Sequence, residues 1–137
     1  MARFLTSLRI EEISSQGRGT WELVNALAYK SELLDYTIIV PSGFITDLAS
    51  VPRIPVAFTF VGCMAHRAGV VHDWLYTSHE VDRALADKIL REAAGIDGAG
   101  GIRAGLLWAG VRIGGAGPWG SAAQRQRQYD HIKQHFK

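Results

Sequence analysis

One cysteine in 137 residues, Cys63, leaves no partner for an intramolecular disulfide, which excludes the cross-linked framework on which small secreted enzymes depend. A reducing compartment, or assembly inside a cell, fits that shortage. Long apolar runs are missing too. A membrane span needs about 18 or more apolar residues; AGLLWAGVRIGGAG comes closest, and its arginine and glycines argue against a span. The opening MARFLTSLRI reaches Glu11 and Glu12 too soon for a signal peptide, so no export signal is expected. Charge of one sign is not in excess: 15 Lys and Arg against 13 Asp and Glu leave a net +2. Basic residues gather only toward the end, at Arg125, Arg127, Lys133 and Lys137, a poor electrostatic footprint for nucleic acid. Binding of that kind would weaken steeply with salt.

What remains is a globular composition, with 47% hydrophobic and 20% charged residues. The length predicts one domain over residues 1–137 with its own core. The first 50 residues or so read as strands. TWELVNALAYKS and DYTIIVPSGFITD are rich in β-branched and aromatic residues, and Gln16-Gly17-Arg18-Gly19 and Pro41-Ser42-Gly43 punctuate them as turns. Pro52 and Pro55 then mark a shaped loop. From about Met64 onward the pattern is helical. A first helix carries His72 and Tyr76 on one face; Ser78 is expected to cap a second, with Glu80 in its first turn and Gly95 as its stop. The glycine-rich stretch from Gly95 to Gly105 reads as a loop. Without a preceding strand or a following Gly-Lys-Ser/Thr it is no phosphate cradle. GIRAGLLWAGVRIGG forms a third helix, with small residues Ala104, Gly105, Ala109 and Gly110 for close approach, and SAAQRQRQYDHIKQHFK is expected to be helical. The predicted class is α+β: a small N-terminal antiparallel sheet packed on three to four C-terminal helices.

Several polar residues fall inside the apolar helical pattern. His72 is suited to be a general base near neutral pH or a metal ligand. Asp73 points roughly 100° away around the helix and must face something else, a divalent cation being one candidate. In a hairpin turning near Ser78, Asp87 comes within one helical turn of register with His72 and is placed to orient its imidazole. The plainer readings are a satisfied core histidine and an Asp87 paired with Arg83 and Arg91 at i−4 and i+4. Burying His72, Asp73, Tyr76 and Asp87 together costs roughly 1–3 kcal/mol for each unpartnered group, so the set implies either a site or a hydrogen-bonded structural network. Asp47 fits a turn cap as well as a ligand. Ser50 lacks a nucleophile elbow, Cys63 lacks an activating partner, and His66, His79, His131 and His135 lack metal-ligand spacing with any cysteine.

VPSGFITDLASVPR, AGVVHDWLY and DRALADKIL together resemble an uncharacterised family, a domain of unknown function found chiefly in bacteriophages and prophages. Its pattern of Gly-Phe-x-Thr-Asp-x-Ala-Ser-x-Pro, His-Asp-x-x-Tyr, Arg-x-x-Ala-Asp and Ala-Val-Arg-x-x-Gly falls on Gly43 to Pro52, on His72, Asp73 and Tyr76, on Arg83, Ala86 and Asp87, and approximately on Ala109 to Gly114. The resemblance spans about residues 20 to 120. It implies a phage or prophage origin, partners among the tail or baseplate proteins of a virion, and residence in the virion or in the host cytoplasm before assembly.

The His-Asp-x-x-Tyr and Ala-Asp elements are also similar to the phospholipase A2 superfamily, including its disulfide-free version in parvovirus capsid proteins. That similarity implies a calcium-dependent acyl hydrolase acting on an envelope lipid surface. His72 would be the base, Asp87 its orienter, Tyr76 a member of the catalytic set and Asp73 a ligand to Ca2+. The glycine-rich calcium loop of those enzymes is absent here; GFITDLASVP would replace it, with Asp47 as a second carboxylate ligand. The alternative is a non-enzymatic virion adaptor, with a basic, aromatic tail carrying Tyr129 and Phe136 as a docking arm.

Overall fold

The computed structural model describes residues 1–14, 20–46 and 66–136. Six short strands come first: β1 (Arg3–Phe4), β2 (Ile10–Ser14), β3 (Thr20–Leu23), β4 (Leu27–Lys30), β5 (Thr37–Val40) and β6 (Ile45–Thr46). They form two antiparallel sheets, in the orders β1-β4-β5 and β2-β3-β6, where the sequence pattern suggests one. The division falls inside TWELVNALAYKS, because the chain bends at Val24 and Asn25 and so hands β3 to one sheet and β4 to the other. It changes sheets again at the Pro41-Ser42-Gly43 turn, where Gly43 takes φ 90°, a conformation that suits glycine. Strands β4 and β5 pair Leu27 with Val40 and Tyr29 with Ile38, all four side chains being buried, while Ile39 between them faces out. The expected turn at Gln16 to Gly19, the Pro52 and Pro55 loop, Asp47, Ser50 and Cys63 lie outside the described residues.

Four helices follow among the described residues: α1 (His66–Ser78), α2 (Arg83–Ala94), α3 (Gly100–Gly114) and α4 (Ala116–Phe136). This α+β arrangement, sheets and then helices, is the one the sequence predicts. Strand β5 lies on α1, and β2 and β6 on α4. In the core, Leu27, Tyr29, Ile38 and Val40 meet Val70, Val71 and Leu75 of α1, Ile89 and Leu90 of α2, and Leu107 of α3.

Two helix boundaries differ from expectation. The second helix is capped by Asp82, whose carboxylate accepts from the Leu85 amide at 2.8 Å; Ser78 is the last residue of α1. His79 explains the difference. It adopts φ 54° just beyond α1 and donates its amide to the Leu75 carbonyl at 3.0 Å, which closes that helix with a left-handed residue and uses up the chain that Ser78 would need to start another. A non-glycine residue there is uncommon; the His79 ring stacks on Trp119 of α4 at 3.7 Å and its Nε2 meets the Trp119 carbonyl at 3.1 Å. Gly95 is no stop either, since the helix runs on through a π-type turn over Gly95–Ala99 until Gly98 breaks it with φ 92°. The stretch expected to be a loop is therefore largely helical. Asp97 in that turn accepts from Arg67 Nε at 2.8 Å and from the Ala68 amide at 3.2 Å, fastening it to the start of α1.

Candidate functional site: a buried His–Asp pair

Helices α1 and α2 form the expected antiparallel hairpin, and its facing side chains make the site. On α2, Ala86, Ile89, Leu90 and Ala93 form a buried stripe that also contains Asp87. With 0% of its surface exposed, Asp87 requires partners, because an unpaired carboxylate in apolar surroundings is not tolerated. It has them. His72 Nε2 lies 2.8 Å from Oδ1, the Tyr76 hydroxyl donates to the same oxygen at 2.6 Å, and Arg112 Nη1 of α3 donates to Oδ2 at 3.0 Å. His72 and Tyr76, one turn apart, reach the carboxylate side by side with ring centroids 4.2 Å apart.

Arg83 completes the cluster in a different role from the one its spacing suggests. Its Nε is 4.0 Å from Asp87 Oδ2 and donates to the Tyr76 hydroxyl at 3.3 Å, while Nη2 donates to the carbonyls of both Val111 and Arg112 at 2.8 Å. Those carbonyls lie in the last turn of α3, where Val111 also accepts from the Gly115 amide at 2.8 Å, and acceptors gathered at a helix C-terminus suit a guanidinium. Arg91, the other residue spaced to pair with Asp87, lies instead over the Trp108 ring.

Electrostatics follow from burial against these contacts. For Asp87, burial pushes the carboxyl up, but hydrogen bonds from His72, Tyr76 and Arg112 together hold it below its ordinary value. Burial pushes the His72 imidazole down and outweighs the opposing pull of Asp87, while the positive charge of Arg83 adds to the lowering. The Tyr76 hydroxyl is pushed up, first by burial and then by its bond to Asp87. The consistent state is an ionised Asp87, a neutral His72 and a protonated Tyr76. As the Asp87 carboxylate only accepts, the imidazole proton must sit on Nε2. Nδ1 is left as a bare lone pair, and it is a buried side-chain atom with no hydrogen-bond partner among the described residues. At neutral pH the imidazole is thus held through Nε2 and left unprotonated at Nδ1, and its burial disfavours the imidazolium form.

The structure thus brings His72, Tyr76 and Asp87 together and keeps Asp73 apart. Asp73 is buried on another side of α1, with its carboxylate 3.9 Å from the Arg125 guanidinium of α4. A guanidinium is a poor neighbour for a calcium ligand, and no group of three His, Cys, Asp or Glu side chains converges among the described residues. Asp47, the second carboxylate of the Ca2+ site that the resemblance implies, lies outside the described residues. Arg125 is turned inward, also donating to Ser121 Oγ at 2.9 Å and to the Pro118 carbonyl at 3.1 Å, so it is not part of a free basic arm. Arg112 carries half of the Asp87 carboxylate without having been singled out for it; the Ala-Val-Arg-x-x-Gly element of the sequence pattern was its available signal.

An α+β chain in which a carboxylate on one helix fixes a histidine on its neighbour is the class that fold and site define. The chain belongs to a family described as "Protein of unknown function (DUF1353)", which matches residues 21–111. That range contains His72, Tyr76, Arg83 and Asp87. No curated protein and no solved structure matches the chain.

Proposed function

We propose that this is a phage- or prophage-encoded hydrolase in which His72 Nδ1 acts as general base on water, with an acyl ester of an envelope lipid or a related compound as substrate. The observation that carries the reading is the buried Nδ1 lone pair, without a hydrogen-bond partner among the described residues, on an imidazole whose other nitrogen is held by Asp87. Water would give its proton to Nδ1 as its oxygen bonds to the acyl carbon. Collapse of the tetrahedral intermediate breaks the acyl–oxygen bond, and the proton passes from Nδ1 to the leaving alkoxide. Asp87 keeps the tautomer and balances the transient imidazolium without itself taking the proton, while Tyr76 and Arg112 hold Asp87 still. Phage origin is supported by the motifs of the family resemblance, and the lipid by the looser likeness to phospholipase A2.

The test is fatty-acid release from phosphatidylglycerol vesicles by the wild type and by His72→Gln, whose amide can still donate to Asp87 but offers no basic nitrogen. The expected result is a loss of about 10²–10⁴-fold in rate with the fold retained. Absence of release by the wild type, or an unchanged rate in the variant, overturns the proposal.

One observation favours a second reading, a virion adaptor of the tail or baseplate. Asp87 gathers donors from α1 and α3 while Arg83 ties α2 to the end of α3, so the same cluster joins three helices. On that reading His72→Gln lowers the unfolding midpoint and removes no reaction.

A further inference from the structure

Helix α3 carries apolar residues on two opposite sides, with Arg103 and Arg112 between them. Ala104, Leu107, Gly110 and Val111 fill the core side. The opposite side is bare: Ile102 is 83% exposed, Ile113 87% and Leu106 40%. With the half-buried Ala109 these residues follow a 4-3-4 spacing, which keeps them within about 60° of arc along about 16 Å of helix. Single exposed isoleucines need no explanation, but a continuous stripe of them marks a surface that meets something. No Asp or Glu occurs between Asp97 and Asp130; of the four arginines in that stretch Arg112 and Arg125 face Asp87 and Asp73, while Arg103 and Arg127 are exposed. Arg103 is exposed and sits about 100° round from Ile102, at the edge of the stripe, where its long stem can carry the charge outward from an apolar contact.

We infer that this face of α3 docks on an anionic lipid bilayer, with Ile102, Leu106 and Ile113 entering the boundary between headgroups and acyl chains and Arg103 at the level of the phosphates. Apolar side chains flanked by cations suit such a surface. Among the described residues no helix is long and apolar enough to cross a membrane, so the contact is one of lying on the bilayer. A second copy of the chain fits less well. Helix α3 carries no Asp or Glu, so a copy packed on this face through its own α3 offers the exposed Arg103 no counter-charge. The inference stands apart from the hydrolase reading, since none of these side chains touches His72.

The experiment is sedimentation of the full chain with vesicles of phosphatidylcholine alone and of phosphatidylcholine mixed with phosphatidylglycerol, repeated for Ile102→Asn/Ile113→Asn, for Arg103→Gln and for His72→Gln. The expected result is binding to the anionic vesicles that weakens with added salt, falls roughly tenfold or more in the double variant and several-fold in Arg103→Gln, and is unchanged in His72→Gln. The exposed positions predict no change in thermal unfolding for the double variant, which keeps a loss of binding interpretable. No binding to anionic vesicles, or equal binding by the double variant, overturns the inference. So does a wild type that self-associates in solution and becomes monomeric in the double variant with no change on vesicles. Lipid hydrolysis lost in His72→Gln with binding intact would separate the two proposals, as would binding without any hydrolysis.

Discussion

The Tyr76 hydroxyl and the backbone of Gly115 are so close that a Cβ on the glycine would lie 2.5 Å from the hydroxyl oxygen. The same Cβ would run into the Val111 carbonyl and come within 3.2 Å of Arg83 Nη2. Gly115 is the single residue between α3 and α4, and its missing side chain lets their junction close over the polar cluster. Gly115→Ala is therefore expected to destabilise the protein by about 1–3 kcal/mol through overpacking and to loosen Tyr76 from Asp87. Chemical denaturation gives the first quantity, and tyrosine fluorescence or NMR at Tyr76 reports the second.

Asp87→Asn removes the charge that His72, Tyr76 and Arg112 converge on and leaves a guanidinium beside a neutral amide. The expected cost is about 3–5 kcal/mol, the usual scale for breaking a buried pair from one side. A loss below about 1 kcal/mol in urea unfolding would mean that the cluster is not the tie between helices described above.

A neutral, buried His72 makes stability depend on pH in a defined direction. Its folded value is lowered, so below the ordinary imidazole value of 6.5 the unfolded chain takes up a proton that the folded chain does not. Stability is full above that pH and falls as pH drops through it, at up to about 1.4 kcal/mol per pH unit. Asp87, also lowered, adds a loss of the same sign below its ordinary value of 3.8. Unfolding midpoints taken from pH 7.5 down to about 4.5 test this. The slope should disappear in His72→Gln, and ¹⁵N shifts of His72 at neutral pH should report an unprotonated Nδ1.

Capping separates two neighbouring residues. Asp82→Ala should cost about 1 kcal/mol, because the Leu85 amide loses its acceptor, while Ser78→Ala should change stability by less than half of that. Equal effects at the two positions would restore Ser78 as the cap.

Much of this was legible before folding was considered. The β-branched runs, the spacing of apolar residues from His72 to Ala94, and the appearance of His72, Tyr76 and Asp87 within that spacing are local properties, and local properties fix periodicity and facing. The site pair could be anticipated for the same reason, since a short connection between two helices leaves little freedom in which residues meet. Asp82 over Ser78 was harder to read: both are good caps, and the choice turned on His79 accepting a left-handed backbone against Trp119, 40 residues away. The division into two sheets, the Arg83 bridge to the last carbonyls of α3, the Arg112 contact and the turning of Asp73 toward Arg125 all depend on where separate elements come to rest. Sequence spacing carries no information about such distances. By itself, then, the sequence determined the helices, their buried faces and the polar residues that needed partners. Tertiary structure alone decided which partners these were and that Nδ1 of His72 received none among the described residues, because only packing sets the directions from which donors and acceptors arrive.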